Sequence, residues 1–305
     1  MACQDRYGDH VDPLYLAVDI GGTKLAAGVV DDEGRVVVRD RVATPQRDVW
    51  TALERLVRRV IAAAPAPLVA VGAGCGGPHH QASSGASTVS PLHIPSLVDF
   101  DLNGALSETT GLPCFIDNDA KALTLGEAWC GAGRGEMNMV GVVVGTGVGG
   151  GILSNGRLLQ GRLGNAGHIG HIVVEPDGRP CACGGSGCLE AYACGPAIEA
   201  ETGRPPQRAP QPIIERTGLL VGRALASLAA VVDFKLAVIG GSVALGFGEP
   251  FIAAAQAEVN SRARLSFTEG LEIRRAGLGE LAPLVGAAAV ARRGLNQERH
   301  PITAR

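Results

Sequence analysis

One pattern, carried twice, most constrains what this chain can fold into: an apolar run of strand length stops at a glycine turn containing threonine, then resumes at once. The first copy reads LYLAVDI over residues 14–20, turns at Gly21-Gly22-Thr23-Lys24 and continues over residues 25–30. The turn Asp31-Asp32-Glu33-Gly34 leads into a third run over 35–42, so the three short strands form an antiparallel meander. The second copy has an apolar run at 138–144, then the dense glycine stretch Gly145-Thr146-Gly147-Val148-Gly149-Gly150-Gly151. A strand over 152–154 and the hairpin pair Asn155-Gly156 follow it. Each glycine turn presents backbone N–H groups to an anion held above it; the Thr23 hydroxyl and Lys24 ammonium add donors. Asp19, at the end of the first strand, is placed to hold a hydrated Mg2+. An ordinary hairpin with an exposed lysine would match the first turn alone. Two such units, each ending in a phosphate-cradling turn, are a more specific signal of internal duplication.

Between the two copies the apolar spacing becomes helical. Val49, Ala52, Leu53, Leu56, Val57, Val60 and Ile61 line one face of a helix over 48–64, which Pro65 and Pro67 end. Residues 68–73 read as a buried strand that feeds a glycine-rich segment, 72–78, containing Gly76. A long polar loop then runs to about Asp101 and reads as one wall of a cleft. A helix over 102–110, closed by Gly111, precedes a strand over 113–116 that ends at Asp117-Asn118-Asp119 and passes into a helix over 120–130. Ligands of open α/β sheets bind at such carboxyl ends of strands. Asp119 there suits a general base or the N-cap of the helix. Further on, residues 189–200, 213–230, 250–259 and 283–293 read as helices, and 234–239 and 271–275 as strands. The strand over 234–239 ends at Gly240-Gly241-Ser242, where a purine or ribose can lie flat on the backbone; the tail after Gly294 is polar. The fold class is α/β.

The segment 164–190, GNAGHIGHIVVEPDGRPCACGGSGCLE, concentrates metal chemistry. Cys181, Cys183 and Cys188 follow the spacing C-x-C-x4-C, with His171 ten residues ahead of the first. One imidazole and three thiolates suit a closed tetrahedral zinc site. Gly184, Gly185 and Gly187 let the backbone turn tightly enough to gather them. A disulfide fits less well, because C-x-C neighbours bridge poorly and nothing in the sequence points to export.

The chain has 305 residues, beyond the size at which one core usually keeps growing, so two domains are expected. Its net charge is −3 with both signs interspersed, so neither a nucleic acid nor an anionic membrane is an expected partner. No apolar run is long enough to span a bilayer, and MACQDRYGDHVDP has no signal-peptide core, which implies a cytoplasmic protein with reduced thiols. Cys3, Cys75, Cys114, Cys130 and Cys194 are scattered and read as small buried hydrophobes.

Taken in order, DIGGTK, Asn118-Asp119, GTGVGGGI, GNAGHIGH, CACGGSGCLEAY and VIGGSV resemble the ROK family of sugar kinases and repressors, over residues 14–294. That family lies within the actin-like, ribonuclease-H-like ATPase superfamily. The resemblance implies a smaller domain over 1–117, completed by the C-terminal helix at 283–305, and a larger one over 118–282 carrying the zinc segment. It implies that Gly21, Gly22, Thr23, Lys24, Gly145, Thr146 and Gly147 bind the phosphates of ATP with Mg2+ at Asp19, and that Gly240 and Gly241 take the adenosine end. Asn118 would orient the sugar, with Gly76 on the same wall. Asp119 would deprotonate the C6 hydroxyl. His171 would ligate zinc with Cys181, Cys183 and Cys188 and also touch the sugar, and Glu190 would hold its anomeric side. A homodimer is implied as well.

The chain departs from the family at one position. Where glucose kinases of the family carry a glutamate that accepts from the C2 and C3 hydroxyls, this chain has His168. An imidazole accepts only one hydrogen bond. That substitution suits a hexose altered at C2 or C3, such as glucosamine or kanosamine. A glucokinase of modest affinity, a kinase for mannose, fructose or N-acetylmannosamine, and a silent sugar sensor are the alternatives. A repressor of the family would need a helix-turn-helix domain ahead of the first motif, and only 18 residues precede Asp19.

Overall fold

The computed structural model describes residues 12–81, 87–91 and 94–299. Cys3 and the outermost ends of the expected domain boundaries lie outside them.

The meander forms as the sequence predicts. β1 (Leu14–Ile20), β2 (Lys24–Val30) and β3 (Val36–Ala43) pair antiparallel, with Asp19 opposite Ala26 and Ala26 opposite Arg41. α1 (Val49–Ala62) buries Leu53, Leu56 and Val57 against the sheet. β4 (Leu68–Cys75) then runs parallel to β1. The expected long loop contains short elements: β5 (His79–Gln81) pairs with β6 (Ser87–Val89), and a 3-10 turn at Pro95–Leu97 buries Leu97. Three-residue strands are too short to leave a periodic signal. α2 (Leu102–Thr110) starts at Asp101, whose carboxylate accepts from Gly104 N at 2.8 Å, and ends at Gly111 with φ 69°. β7 (Cys114–Asn118) joins β4 in parallel and leads directly into α3 (Asp119–Cys130). The first sheet is therefore ordered β3-β2-β1-β4-β7.

The second half repeats this plan. β8 (Met139–Val144), β9 (Val148–Ser154) and β10 (Arg157–Leu158) form the antiparallel side. α4 (Glu190–Ala193), α5 (Gly195–Thr202) and α6 (Gln211–Val232) lead to β11 (Leu236–Gly240). α7 (Ser242–Phe247), α8 (Glu249–Arg262), β12 (Glu272–Arg275) and α9 (Ala282–Arg299) complete the chain. The sheet order β10-β9-β8-β11-β12 has the same two antiparallel and two parallel pairings as the first.

Three expectations change. The glycine turn is only 145–147, because Gly149, Gly150 and Gly151 belong to β9. A Cβ on Gly150 would lie 2.3 Å from Ile169 Cδ1, and one on Gly151 2.5 Å from Thr124 Oγ1, so these glycines admit close packing rather than turning the chain. The helix read over 189–200 is two helices, broken at Cys194 where Gly195-Pro196 restarts it. α7 carried no signal of its own, and α9 continues past Gly294 to Arg299.

α3 and α9 lie between the sheets. Leu284, Ala287, Ala288 and Ala291 of α9 pack on Tyr15, Ala17, Ala26 and Ala70, while Leu125 and Ala128 of α3 pack on Met139, Leu153 and Leu236. The helices cross at Gly126 and Gly286, where a Cβ on Gly286 would lie 2.6 Å from Ala122 O. Beyond the crossing, Glu127 accepts from the backbone N–H of Ala132, Gly277 and Leu278 at 2.7, 3.0 and 3.0 Å. None of the described helices is long and apolar enough to cross a membrane.

Candidate active site

The parallel registers bring the loaded strand ends to one level. Ile20, Cys75 and Asn118 are direct neighbours across β1, β4 and β7, and Gly240 lies beside Val143 across β11 and β8. In the first turn, Gly21 N donates to Lys24 O at 3.1 Å, leaving Gly22, Thr23 and Lys24 exposed. Thr44, at the end of β3, braces it: its hydroxyl donates to Gly21 O at 2.6 Å and its N–H to Thr23 O at 3.1 Å. The second turn is closed by Gly145 N to Gly147 O at 2.9 Å, with Thr146 exposed. Gly241, at φ 95°, tucks under the backbone of Val144, and Ser242 Oγ lies 3.6 Å from where a Cβ on Gly145 would sit. The second and third glycine turns therefore form one surface.

Asp19 is 9% exposed beneath the first turn. Its burial, then the charge of Asp119, push its pKa up to about 7 against the pull of Lys24. A cavity of about 350 Å³ opens beside Asp19 and Lys24, lined also by Arg39, Arg41 and Glu280. The two arginines alternate along β3 on the face that Asp19 shares, a pattern the sequence carries but offers no motif to interpret.

Asn118 is the residue that caps α3: its side-chain oxygen accepts from Ala120 N at 3.0 Å. Asp119 is thus released from that duty and stands as the first helical residue, its Oδ1 also accepting from Ala120 N at 2.8 Å. The Asp119 carboxylate stays open to the cleft, yet the surrounding protein displaces enough water to raise its pKa. The Ala120 N–H and the positive potentials of His79 and His168 oppose the rise. His79 follows the glycine-rich segment in no recognisable motif, so the sequence gives no reason to place it beside Asp119. Its Nε2 lies 3.0 Å from Cys75 O.

His168 is exposed and precedes a 3-10 turn over Ile169–His171. The loop lies directly on β9: a Cβ on Gly167, at φ 104°, would meet Gly150 O at 2.4 Å. The His168 and His171 rings are stacked, 6.1 Å apart and inclined by 24°. Gly76 directly follows the end of β4.

His171, Cys181, Cys183 and Cys188 converge, with all four ligand atoms within 4.8 Å of one another. His171 Nδ1 is 3.7 Å from Cys181 Sγ, and Cys183 Sγ is 3.8 Å from Cys188 Sγ. A tetrahedron with metal–sulfur bonds of about 2.3 Å has edges of about 3.8 Å. The sulfurs are therefore spaced for a common metal and too far apart for a disulfide. Gly187, at φ 73°, lies so close to Glu175 O that a Cβ would sit 1.9 Å from it. Cross-bridges at Val173–Cys188 and Pro180–Ser186 fold the segment on itself.

Glu190 starts α4 immediately after the knot, and its Oε2 accepts from Val148 N at 2.7 Å. The knot is thereby joined to the second glycine turn.

Three comparisons place this geometry among known proteins. The ROK family model matches residues 15–294. N-acetylmannosamine kinases of Yersinia pseudotuberculosis and Yersinia pestis are 34% identical over 257 residues, 76% of this chain and 84% of theirs. A ROK hexokinase from Thermus thermophilus superposes with a TM-score of 0.80 at 34% identity, covering 93% of this chain and 99% of that one. A ROK glucokinase from Streptomyces griseus, solved with glucose and AMPPNP, has a TM-score of 0.76 at 31% identity, covering 92% and 100%.

Proposed function

Because this chain belongs to the ROK family, we propose that it is an ATP-dependent sugar kinase that phosphorylates the C6 hydroxyl of a hexose, with Asp119 as general base. The observation that carries this reading is Asp119 itself: an exposed carboxylate of raised pKa that directly follows β7, near enough to Asp19 and the first glycine turn for its charge to raise the Asp19 pKa. Phosphoryl transfer needs positioning and charge neutralisation more than covalent help. Gly21, Gly22, Thr23, Lys24, Gly145, Thr146 and Gly147 hold the phosphates, and Gly240 and Gly241 carry the adenosine. Asp19 would hold Mg2+, whose charge would offset that of the phosphates. Asp119 accepts the hydroxyl proton late in transfer.

The sugar wall is read as Gly76, Asn118, His168, His171 and Glu190. Zinc fits His171, Cys181, Cys183 and Cys188 by ligand type and spacing, and there it would serve as a structural metal that fixes the wall. The two sheets are read as domains, 1–117 with 283–305 and 118–282, closing over the cleft. A cytoplasmic homodimer completes the reading.

His168 directs the choice of sugar toward a hexose altered at C2 or C3, such as glucosamine or kanosamine. N-acetylmannosamine, also altered at C2, is the second reading, favoured by the name of the Yersinia relatives. The deciding experiment gives the purified protein ATP and Mg2+ with glucose, glucosamine, kanosamine, mannose and N-acetylmannosamine, then locates the phosphate on the product. A 6-phosphate made fastest from an amino or acetamido sugar supports the assignment. Fastest turnover of glucose removes the role given to His168, and turnover of no sugar leaves a silent sugar-binding protein.

A further inference from the structure

Lys121 is the least expected residue near the cleft: a lysine only 1% exposed, two positions after Asp119 on α3. Its ammonium donates to Gln160 Oε1 at 2.6 Å and Gly164 O at 2.7 Å, and lies 3.0 Å from Asp117 Oδ1. A buried cation is costly unless paired. Asp117, however, is already paired through its other oxygen, with Arg293 of α9 at 2.8 Å. The Asp117 Oδ1 atom also accepts from Asn118 N at 3.0 Å, and Oδ2 accepts from Gln160 Nε2 at 3.1 Å. Charge balance therefore does not call for Lys121, since a neutral residue there would leave Asp117 with Arg293.

What Lys121 alone supplies is the pair of bonds to Gln160 and Gly164. Those residues open the loop that carries His168, and the loop's own closure, Ala166 N to Gln160 O at 3.0 Å, ends on the same glutamine. The root of the lysine is fixed as well, because its Cα lies 3.1 Å from where a Cβ on Gly151 of β9 would sit. We propose that Lys121 is a positioning residue for the sugar wall: by tying Gln160 and Gly164 to the helix that begins with Asp119, it sets the placement of His168 relative to the base. This inference rests on the kinase reading for its sugar, not for its geometry.

The test compares K121M and K121Q with E127Q. Glu127 is a buried carboxylate accepting three backbone N–H bonds on the same helix, remote from the loop, so E127Q reports plain destabilisation. Hydrogen exchange over 160–168 is read on the protein alone, and Michaelis constants are measured with the sugar that the panel selects. A displacement near 1 Å can cost about 100-fold, so K121M is expected to raise the sugar KM about tenfold or more. It should also speed exchange across 160–168 while leaving the KM for ATP unchanged. K121Q, with an amide able to serve one of the two acceptors, should fall between wild type and K121M. Wild-type exchange and wild-type sugar KM in both Lys121 variants would overturn the proposal, as would equal effects from E127Q. A wild type that phosphorylates no sugar sinks the kinase reading instead, and the exchange comparison still decides whether Lys121 holds the loop.

Discussion

Asp19 and Asp119 both have raised pKa values, the charge of Asp119 contributing to the rise at Asp19, and their environments divide their duties. Asp119 remains open to the cleft, while Asp19 lies buried under the first turn. Removing a general base costs about 100- to 10,000-fold, so D119N should lose turnover on that scale while calorimetry still detects sugar binding. Near-normal turnover in D119N would assign the base elsewhere. For Asp19 the folded pKa of about 7 lies above its ordinary 3.8. Between those values the unfolded chain has released its proton and the folded protein still holds it. Stability contributed at this site is therefore full below the lower value and declines as pH rises to the upper one, by at most on the order of 4 kcal/mol. D19N removes the titration, so it should raise the melting temperature at pH 8 relative to pH 5 while abolishing Mg2+-dependent turnover. A D19N protein with the wild-type pH dependence of melting would contradict this account of Asp19.

Elements repeat the lesson that glycines here serve packing as often as turning. A Cβ on Gly150 would meet Ile169 Cδ1 at 2.3 Å and Gly141 O at 2.6 Å, whereas exposed Gly246 in α7 has nothing within 4 Å. Overpacking costs about 1–3 kcal/mol, so G150A should be destabilised by that much. G246A should be neutral or gain about 0.5–1 kcal/mol from helix propensity, and matched unfolding curves of the two variants check the contrast. Run lengths, caps and turn residues made β1 to β4, α1, α2, β7 and the two glycine turns readable, since each rests on neighbours in sequence. The role of Gly149 to Gly151 was not, because Ala120, Ile169 and Thr124, which dictate it, come from other elements. Lys121 and Thr44 stayed hidden for the same reason, Gln160, Gly164 and Gly21 being distant from them in the chain. The metal knot lies between these cases: C-x-C-x4-C announced it, and only the fold shows that Glu190 ties it to Val148. Chelation is accordingly expected to loosen that junction. Stoichiometric zinc in the purified protein, and a lower melting temperature after its removal, are the expected results; metal analysis finding none would refute the assignment.

At the scale of the whole molecule, the cleft is assembled from two similar sheets that meet through α3 and α9. Asp19 and the first glycine turn belong to one sheet, the second and third turns to the other, and Glu190 and His168 ride on segments attached to the latter. The two helices cross on Gly126 and Gly286 with almost no side chain between them. Asn165 Nδ2 donates to His79 O at 3.3 Å, a long bond between the loop that carries His168 and the first half. A sugar held by Asn118 and Glu190 together with a nucleotide spanning the two glycine turns would add contacts to both halves, and those contacts favour a closed arrangement by their differential affinity for it. Closure also governs side reactions, because water reaches an open phosphate-binding site and is excluded from a shut one. Small-angle scattering should therefore show a smaller radius of gyration with sugar and a non-hydrolysable ATP analogue together than with either alone. ATP hydrolysis without sugar should be slower than sugar phosphorylation by on the order of 100-fold, the usual scale of a positioning effect. Identical scattering in all states, with ATP consumed as fast without sugar as with it, would mean that the cleft works as a rigid site and that its two halves gain nothing by moving.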